Sequence, residues 1–271
     1  MKSAIAETIN LGIEPVALLL TDEKPEGAVQ FEPGKWGCVM SMFGAAATMG
    51  RTAVFDRETY GCFGGGLGLG FGNAYLKFPG GEEGFCNFLS SGNEGSEQGR
   101  TIGAGMLAGG ARAELVHHFL HGERYKKSPE LVRAFIEALP ITDIPTKYVA
   151  FVPLRSIDPA SQLPESVTFL VTPDQLSALT VFANYDRPGL ENVAIPYAAA
   201  CQVIGIFSYR EARSAHPRCV VGLTDLSARQ FLRAQVGKDV VSFTIPFQRF
   251  LEMEANIEGS FLEQAPWLAL K

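Results

Sequence analysis

The cysteines are the residues of this chain best equipped for chemistry, and three of them are evenly set: Cys38, Cys62 and Cys86 follow one another in steps of 24 residues. Cys201 lies far downstream. Each of the four sits among small or apolar neighbours, as in Gly37-Cys38-Val39, Gly61-Cys62-Phe63, Phe85-Cys86-Asn87 and Ala200-Cys201-Gln202. Thiolate sulfur is the preferred donor to iron–sulfur clusters and to structural zinc. Thiols this scattered can serve a metal only if the fold gathers them, and a cluster requires at least three of the four sulfurs within about 7 Å of one another. The opposing reading is packing, because a free cysteine is among the most buried residue types and fills a core like a small apolar side chain. No C-x-x-C pair occurs, so the strongest local signature of a metal is missing. Three readings stand at this level: a metallocentre on Cys38, Cys62, Cys86 and Cys201, inert core thiols, or a reactive thiol or redox pair.

Between Cys62 and Cys86 the chain crowds Gly64, Gly65, Gly66, Gly68, Gly70 and Gly72 together. Glycines beside a ligating cysteine let backbone N–H groups reach the sulfur, which makes Gly64, Gly65, Gly66 and Gly68 the candidate cofactor-binding positions. At least two of Gly64, Gly65, Gly66, Gly68 and Gly70 are expected to take positive φ or to touch a neighbouring backbone. The run does not fit the dinucleotide pattern G-x-G-x-x-G, since Leu69, Phe71 and Asn73 stand where the third glycine is needed. Gly103-Ala104-Gly105-Met106-Leu107-Ala108 fits the looser form ending in alanine, but it follows a polar loop and not a strand. A glycine loop against a helix start can still hold an anionic group through its N–H donors. That supplies a second function class: a non-catalytic binding module for a small anionic or acidic molecule, with the cysteines inert.

Other candidates are thinner. His117 and His121 are four apart on a helix, a spacing that suits two ligands on one face, but His118 stands where the zinc-protease pattern needs glutamate. Histidines late in a helix are also favoured by its dipole. Asp225 and Arg229 are placed for an acidic helix cap and an i,i+4 pair; Arg229, just after a strand end, is also a candidate ligand-facing cation. Ser90-Ser91-Gly92 and Gly95-Ser96 read as a mobile polar loop running to Gly99, not as a nucleophile elbow.

The 271 residues are 46% hydrophobic and 19% charged, the profile of a packed globule, with a formal net charge of −6. That charge speaks against nucleic acid or an anionic membrane as a standing partner. The uncharged spans Thr59–Leu76 and Asn192–Tyr209 are broken by glycines or by Pro196 and read as buried, not as membrane-spanning. An odd number of cysteines behind an N-terminus without a secretion pattern fits a reducing cytoplasm.

These residues need elements to position them. The pattern predicts helices over Ile5–Gly12, Cys38–Gly50, Gly103–His121, Glu130–Leu139, Pro173–Asn184, Ala198–Arg213, Leu226–Arg233 and Phe247–Glu254. Strands are expected at Pro15–Leu20, Thr52–Phe55, Phe85–Leu89, Tyr148–Leu154, Val167–Val171, Cys219–Leu223 and Val240–Ile245. The fold class is α+β, or α/β: a mixed sheet flanked by helices in one domain, 1–271. Cys38 and Cys201 each open a small-residue helix followed by a strand, with Cys62 ending the first strand and Cys219 starting the second. This suggests two related strand–helix–strand halves, about 1–125 and 145–271, with a small molecule or metallocentre between them.

Several stretches resemble the family called domain of unknown function 169, of bacteria and archaea. They are Pro15-Val16-Ala17, the Cys38 helix, Gly61-Cys62 leading into Gly66-Leu67-Gly68-Leu69-Gly70, the block Val221-Gly222-Leu223-Thr224-Asp225-Leu226-Ser227-Ala228-Arg229, and Phe243-Thr244-Ile245-Pro246-Phe247 with Phe250-Leu251-Glu252. The resemblance spans nearly the whole chain and implies one evolutionary unit and a cytoplasmic protein. It carries no activity with it. Finally, Phe243, Phe247, Phe250, Phe261 and Trp267 make an apolar C-terminal segment, expected to form part of a homodimer interface.

Overall fold

A computed structural model describes all 271 residues and resolves the chain into two compact units, Met1–Gly72 with Thr142–Lys271, and Asn73–Ile141. The larger unit is built on a mixed, open seven-stranded sheet, an α+β architecture. Its first part runs α1 (Ala4–Thr8), β1 (Val16–Thr21), α2 (Val39–Met49), β2 (Ala53–Phe55) and α3 (Phe63–Leu69). The second unit follows, with α4 (Gly81–Phe88), α5 (Glu97–Ala108), α6 (Ala113–His121) and α7 (Pro129–Ala138). The chain then re-enters the sheet with β3 (Tyr148–Pro153), β4 (Ser166–Val171), α8 (Pro173–Ala183), β5 (Val193–Ala194) and α9 (Ala200–Gln202). A π-helical turn (Val203–Phe207) joins α9 to α10 (Ser208–Ala212), and β6 (Cys219–Gly222), α11 (Leu226–Val236), β7 (Val241–Pro246), α12 (Phe247–Ala255) and α13 (Ala265–Leu268) complete it.

Local chemistry sets the boundaries. Ser128 and Thr172 cap α7 and α8, each followed by proline in the first turn, and Thr172 and Gln175 close a capping box. Gly50, left-handed at φ 67°, ends α2. The sheet is covered on both faces, so its strands are apolar on both sides. One face carries Ala17, Leu19, Val54, Val167, Phe169, Val221 and Phe243 against residues of α1, α8 and α12 such as Ile5, Leu179, Phe182 and Phe250. On the other face Phe43 of α2 meets Phe151 edge-on at 5.3 Å, and Val203 lies over Gly222. Helices α3 and α11 pack on α9 and α2 respectively.

Sheet order is β2-β3-β1-β4-β7-β6-β5. Read outward from its centre, β1-β3-β2 on one side matches β4-β7-β6 on the other, with every pairing antiparallel. The register matches as well. Val16 faces Thr168 and Leu18 faces Ser166 about the central pair Ala17–Val167. Val16 also faces Pro153 of β3, while Ser166 faces Pro246 of β7. Ala53 faces Phe151, two residues before Pro153, and Val220 faces Thr244, two before Pro246.

Some elements differ from expectation. Phe85–Leu89 is not a strand; Phe85, Cys86 and Phe88 belong to helix α4, whose apolar face is spaced helically and whose Phe85 ring stacks on Tyr75 at 3.6 Å. The long helix expected over Gly103–His121 breaks at Gly109-Gly110 into α5 and α6. The Ser90–Gly99 segment is pinned: Ser90 and Asn93 are buried, and the Asn93 amide donates to the carbonyls of Gly84 and Phe119, both at 3.0 Å. Gly64, Gly65, Gly66 and Gly68 lie in helix α3 and not in a loop, while the expected close backbone contact and positive φ are met by Gly68, against the Cys201 and Gln202 backbone, and by Gly70 at φ 93°. In the apolar C-terminal segment Phe243, Phe247, Phe250 and Trp267 are buried within the chain, the Trp267 indole donating to the Thr8 carbonyl at 3.3 Å, while Leu251 and Leu268 are exposed.

Helix α3 crosses the π-helical turn backbone to backbone. A Cβ on Gly205 would run into the Gly68 carbonyl, and one on Gly68 would lie 2.8 Å from the Gln202 nitrogen and 3.0 Å from Cys201 Sγ. No other residue fits such a crossing. Gly205→Ala is therefore expected to destabilise by about 1–3 kcal/mol in denaturant unfolding. Gly12→Ala, where an added Cβ meets nothing within 4 Å, is expected to be nearly neutral. Equal midpoints for the two variants would contradict the crossing.

Candidate functional site

Four chain segments of the larger unit come together at the starts of four helices. Cys38 is the N-cap of α2, Cys62 of α3 and Asp225 of α11, and Cys201 is the second residue of α9. Gly61 passes so close to the Gly37 carbonyl that an added Cβ would clash, which puts the Cys38 and Cys62 segments side by side. The Cys201 thiol donates to the Gly64 carbonyl at 3.3 Å, joining α9 to the first turn of α3. The Ala200 N–H donates to Asp225 Oδ1 at 2.9 Å, while Oδ2 accepts from the Ala228 N–H at 3.0 Å, so one carboxylate ties α9 to α11. Cys62 caps its own helix through sulfur, with the Gly65 N–H donating to Sγ at 3.3 Å.

Burial raises the pKa of each of these acids. Burial, and then the charge of Cys62, pushes the Cys38 thiol up to about 12. Burial pushes Cys62 up as well, against the opposing N–H groups of Gly65 and Gly64. Cys201 is raised well above its ordinary value, by burial and then by Cys62, Cys38 and Asp225. Burial also raises Asp225, against the N–H donors of Ala228 and Ala200. The three thiols thus feel the charge of Asp225, Cys38 and Cys201 also feel that of Cys62, Asp225 is drawn down by Arg229, and no thiol is a ready anion. Cys38 and Cys62 are half-buried, whereas Cys201 is buried.

The remaining candidates sit elsewhere or act otherwise. Cys86 is buried in the second unit, where the charges acting on it are Arg133, Glu82, Glu83 and Glu130, with no other cysteine. Cys219 lies on the opposite face of the sheet beside the Met253 sulfur at 3.9 Å. The glycines act as helix backbone: Gly65 and Gly68 have no room for a side chain, and Gly70, at φ 93°, ends α3. Gly66 donates within α3 to the Cys62 carbonyl at 2.9 Å. The Arg229 guanidinium donates to the carbonyls of Leu223, Lys238 and Val240, bracing the chain before and after α11. That brace also holds Leu223 at φ 59°, an uncommon backbone for leucine two residues before Asp225. His118 and His121 pair with Glu123 and Glu94 at 3.6 and 3.2 Å. No three His, Cys, Asp or Glu side chains are grouped so as to hold a metal ion.

Asp225 is the member that sequence reasoning placed only as a helix cap. A signal for it existed: Cys201 to Asp225 is 24 residues, the same step as Cys38 to Cys62.

A thiol raised by folding favours the native state fully below its ordinary value of 9.0 and loses that contribution as pH rises through its folded value. The metal-free protein is therefore expected to lose stability above about pH 9. In a Cys38→Ser, Cys62→Ser, Cys201→Ser variant the alkaline loss should shrink, as measured by denaturant midpoints from neutral to alkaline pH. An unchanged alkaline slope would show that these thiols are not held neutral by the fold.

No curated protein and no solved structure matches the chain. A family model described as "Uncharacterised ArCR" matches residues 4–256, a span that includes both strand sets of the sheet and all four residues of the site. The chain belongs to that family, DUF169.

Proposed function

We propose that the protein is a cytoplasmic one that holds an iron–sulfur cluster or related polynuclear thiolate centre on Cys38, Cys62 and Cys201, in a redox or ligand-binding role. The observation carrying this is the meeting of three thiols and one carboxyl from four separate segments, with the charges of Cys62 and Asp225 acting on Cys38 and those of Cys62, Cys38 and Asp225 acting on Cys201. Cys86 and Cys219, which lack such company, are the thiols that serve packing alone. A nucleophilic cysteine needs a lowered pKa, and every thiol here is raised. Mutually repelling buried acids instead favour a cation, which takes up sulfur as the protons leave.

No three His, Cys, Asp or Glu side chains are grouped to hold a metal ion, so a centre here would have to draw its thiols together as it binds. In this reading the Gly65 N–H supports the Cys62 sulfur, the Gly64 carbonyl orients the Cys201 thiol, and the half-buried Cys38 and Cys62 give access for loading. A bound cluster would supply one-electron exchange or Lewis acidity.

The other reading, a binding module for a small anionic or acidic molecule with inert thiols, is favoured by apolar side chains on the same segments. Trp36, Tyr197 and Leu226, two, four and one residues along the chain from Cys38, Cys201 and Asp225, are 47%, 56% and 60% exposed.

One preparation separates the two. Purified without oxygen, the protein is expected to be brown, with broad visible absorption and both iron and acid-labile sulfide. Cys62→Ser or Cys201→Ser should abolish the colour, and Cys86→Ser should leave it intact. A colourless, iron-free protein that also refuses reconstitution with iron and sulfide would discard the cluster and leave the binding module.

A further inference from the structure

In the matched strand sets α11 follows β6 as α3 follows β2, so Asp225 caps the helix equivalent to the one that Cys62 caps. Beyond the caps the two helices diverge. Helix α3 is buried glycine and leucine after its first turn, whereas α11 is followed by a short return, 237–240, into β7. A cleft of about 250 Å³ lies along α11 and that return. Its walls include the apolar side chains of Leu226, Val236 and Val240 and the cations of Arg229, Arg233 and Lys238. None of the three cations is in an ion pair. Asp239, beside Lys238 in the chain, is exposed and pairs with none of them. Arg229 acts on Asp225 by charge alone.

Arg229 is also held ready. Both Nη1 N–H groups and one on Nη2 are spent on the carbonyls of Leu223, Val240 and Lys238, which fix the guanidinium in place. The Nε–H and the second Nη2 N–H have no acceptor in the protein. A rigid guanidinium edge with free donors matches a carboxylate. The dipole of α11 explains a cation such as Arg233 in its last turn. It does not explain apolar walls beside three cations, nor the unused donors of Arg229.

We propose that this cleft binds a small carboxylic acid with an apolar body, its carboxylate received by Arg229, Arg233 and Lys238 and its body laid against Leu226, Val236 and Val240. The volume is below the roughly 300–1,000 Å³ of drug-sized sites, which limits the body to a short acyl chain or a single ring. Inorganic phosphate would use the cations and leave the apolar walls idle, whereas such an acid uses both. This rests on the binding-module reading, to which it gives a place and a ligand class, and it asks nothing of the thiols.

The test is calorimetric titration of the full chain, prepared without oxygen, with benzoate and hexanoate, with the neutral counterparts benzyl alcohol and hexanol, and with inorganic phosphate. At least one acid is expected to bind, and its neutral counterpart at least about tenfold more weakly, the factor of a lost charge-assisted hydrogen bond. Leu226→Glu puts a carboxylate on the cleft wall in the first turn of α11, where an acid suits the helix dipole. It should abolish acid binding with little change in melting temperature. Arg233→Gln with Lys238→Gln, both at exposed positions, should weaken acid binding at least about tenfold and reduce its dependence on salt. Acid binding unchanged in both variants, whether or not melting shifts, overturns the cleft and spares the binding module. Phosphate bound in preference to both acids overturns the ligand class, and no binding of any of these anions overturns the inference and the module together.

Discussion

The contact between the Gly68 and Gly205 backbones governs the rest of the larger unit. Helix α3 carries Gly64, Gly65, Gly66 and Gly68 within seven residues, a composition that costs roughly 0.8–1.0 kcal/mol per glycine relative to alanine. Such a helix has no standing of its own and exists because tertiary packing holds it. The same absence of side chains lets it lie on the π-helical turn closely enough for Gly64 to receive the Cys201 thiol. The widened turn at Val203–Phe207 falls where the two backbones meet, in keeping with the tendency of such bulges to mark functional positions. Separating the two helices by the width of a methyl group would part Cys62 from Cys201.

Electrostatics follows from that proximity. Four acids share a poorly solvated space, and the only donors facing them are backbone N–H groups at helix starts. Helix starts favour negative charge, yet burial outweighs them at every one of the four. The result is a set of three thiols that are unreactive while protonated and costly to ionise, beside a carboxyl on which Arg229 acts in the opposite sense. Positive charge would favour their ionisation, which distinguishes these thiols from the low-pKa cysteine of a thiol enzyme.

Much of the fold is legible in the chain because it is encoded locally. Ser128-Pro129 and Thr172-Pro173 announce helix starts, and Tyr148–Leu154 and Val167–Val171 read as strands, each within a residue of the strands found. The α4 segment misleads because Phe85, Cys86 and Phe88 are dense enough in apolar residues to pass for a short strand, and only Gly81–Phe88 as a whole shows helical spacing. The glycine run reads as loop because propensity is local and the packing that makes it helical is not. Three of the four site residues are visible as cysteines with small neighbours. The fourth is hidden because a helix-capping aspartate has a sufficient local explanation, and its equivalence to Cys62 appears only once strand register is known. Cys86 joined the set on spacing alone, and spacing carries no information about the unit to which a residue belongs.

The second unit leaves α3 after Gly72 and returns at Thr142, and those two residues are themselves hydrogen-bonded, Gly72 N–H to the Thr142 carbonyl at 3.1 Å, beside a bridge between Phe71 and Asp143. At the corresponding place in the other strand set, the chain passes from α11 to β7 through residues 237–240 alone. The two sets therefore face different problems on the ribosome. The later one can assemble from contiguous chain as it emerges, whereas the earlier one must wait for all of Asn73–Ile141 before β3 can take its place between β1 and β2. Loop-closure entropy grows only slowly with length, so the delay is one of timing more than of stability. It makes β3, the central strand of the first set, the point at which synthesis of the insertion and completion of the sheet are coupled.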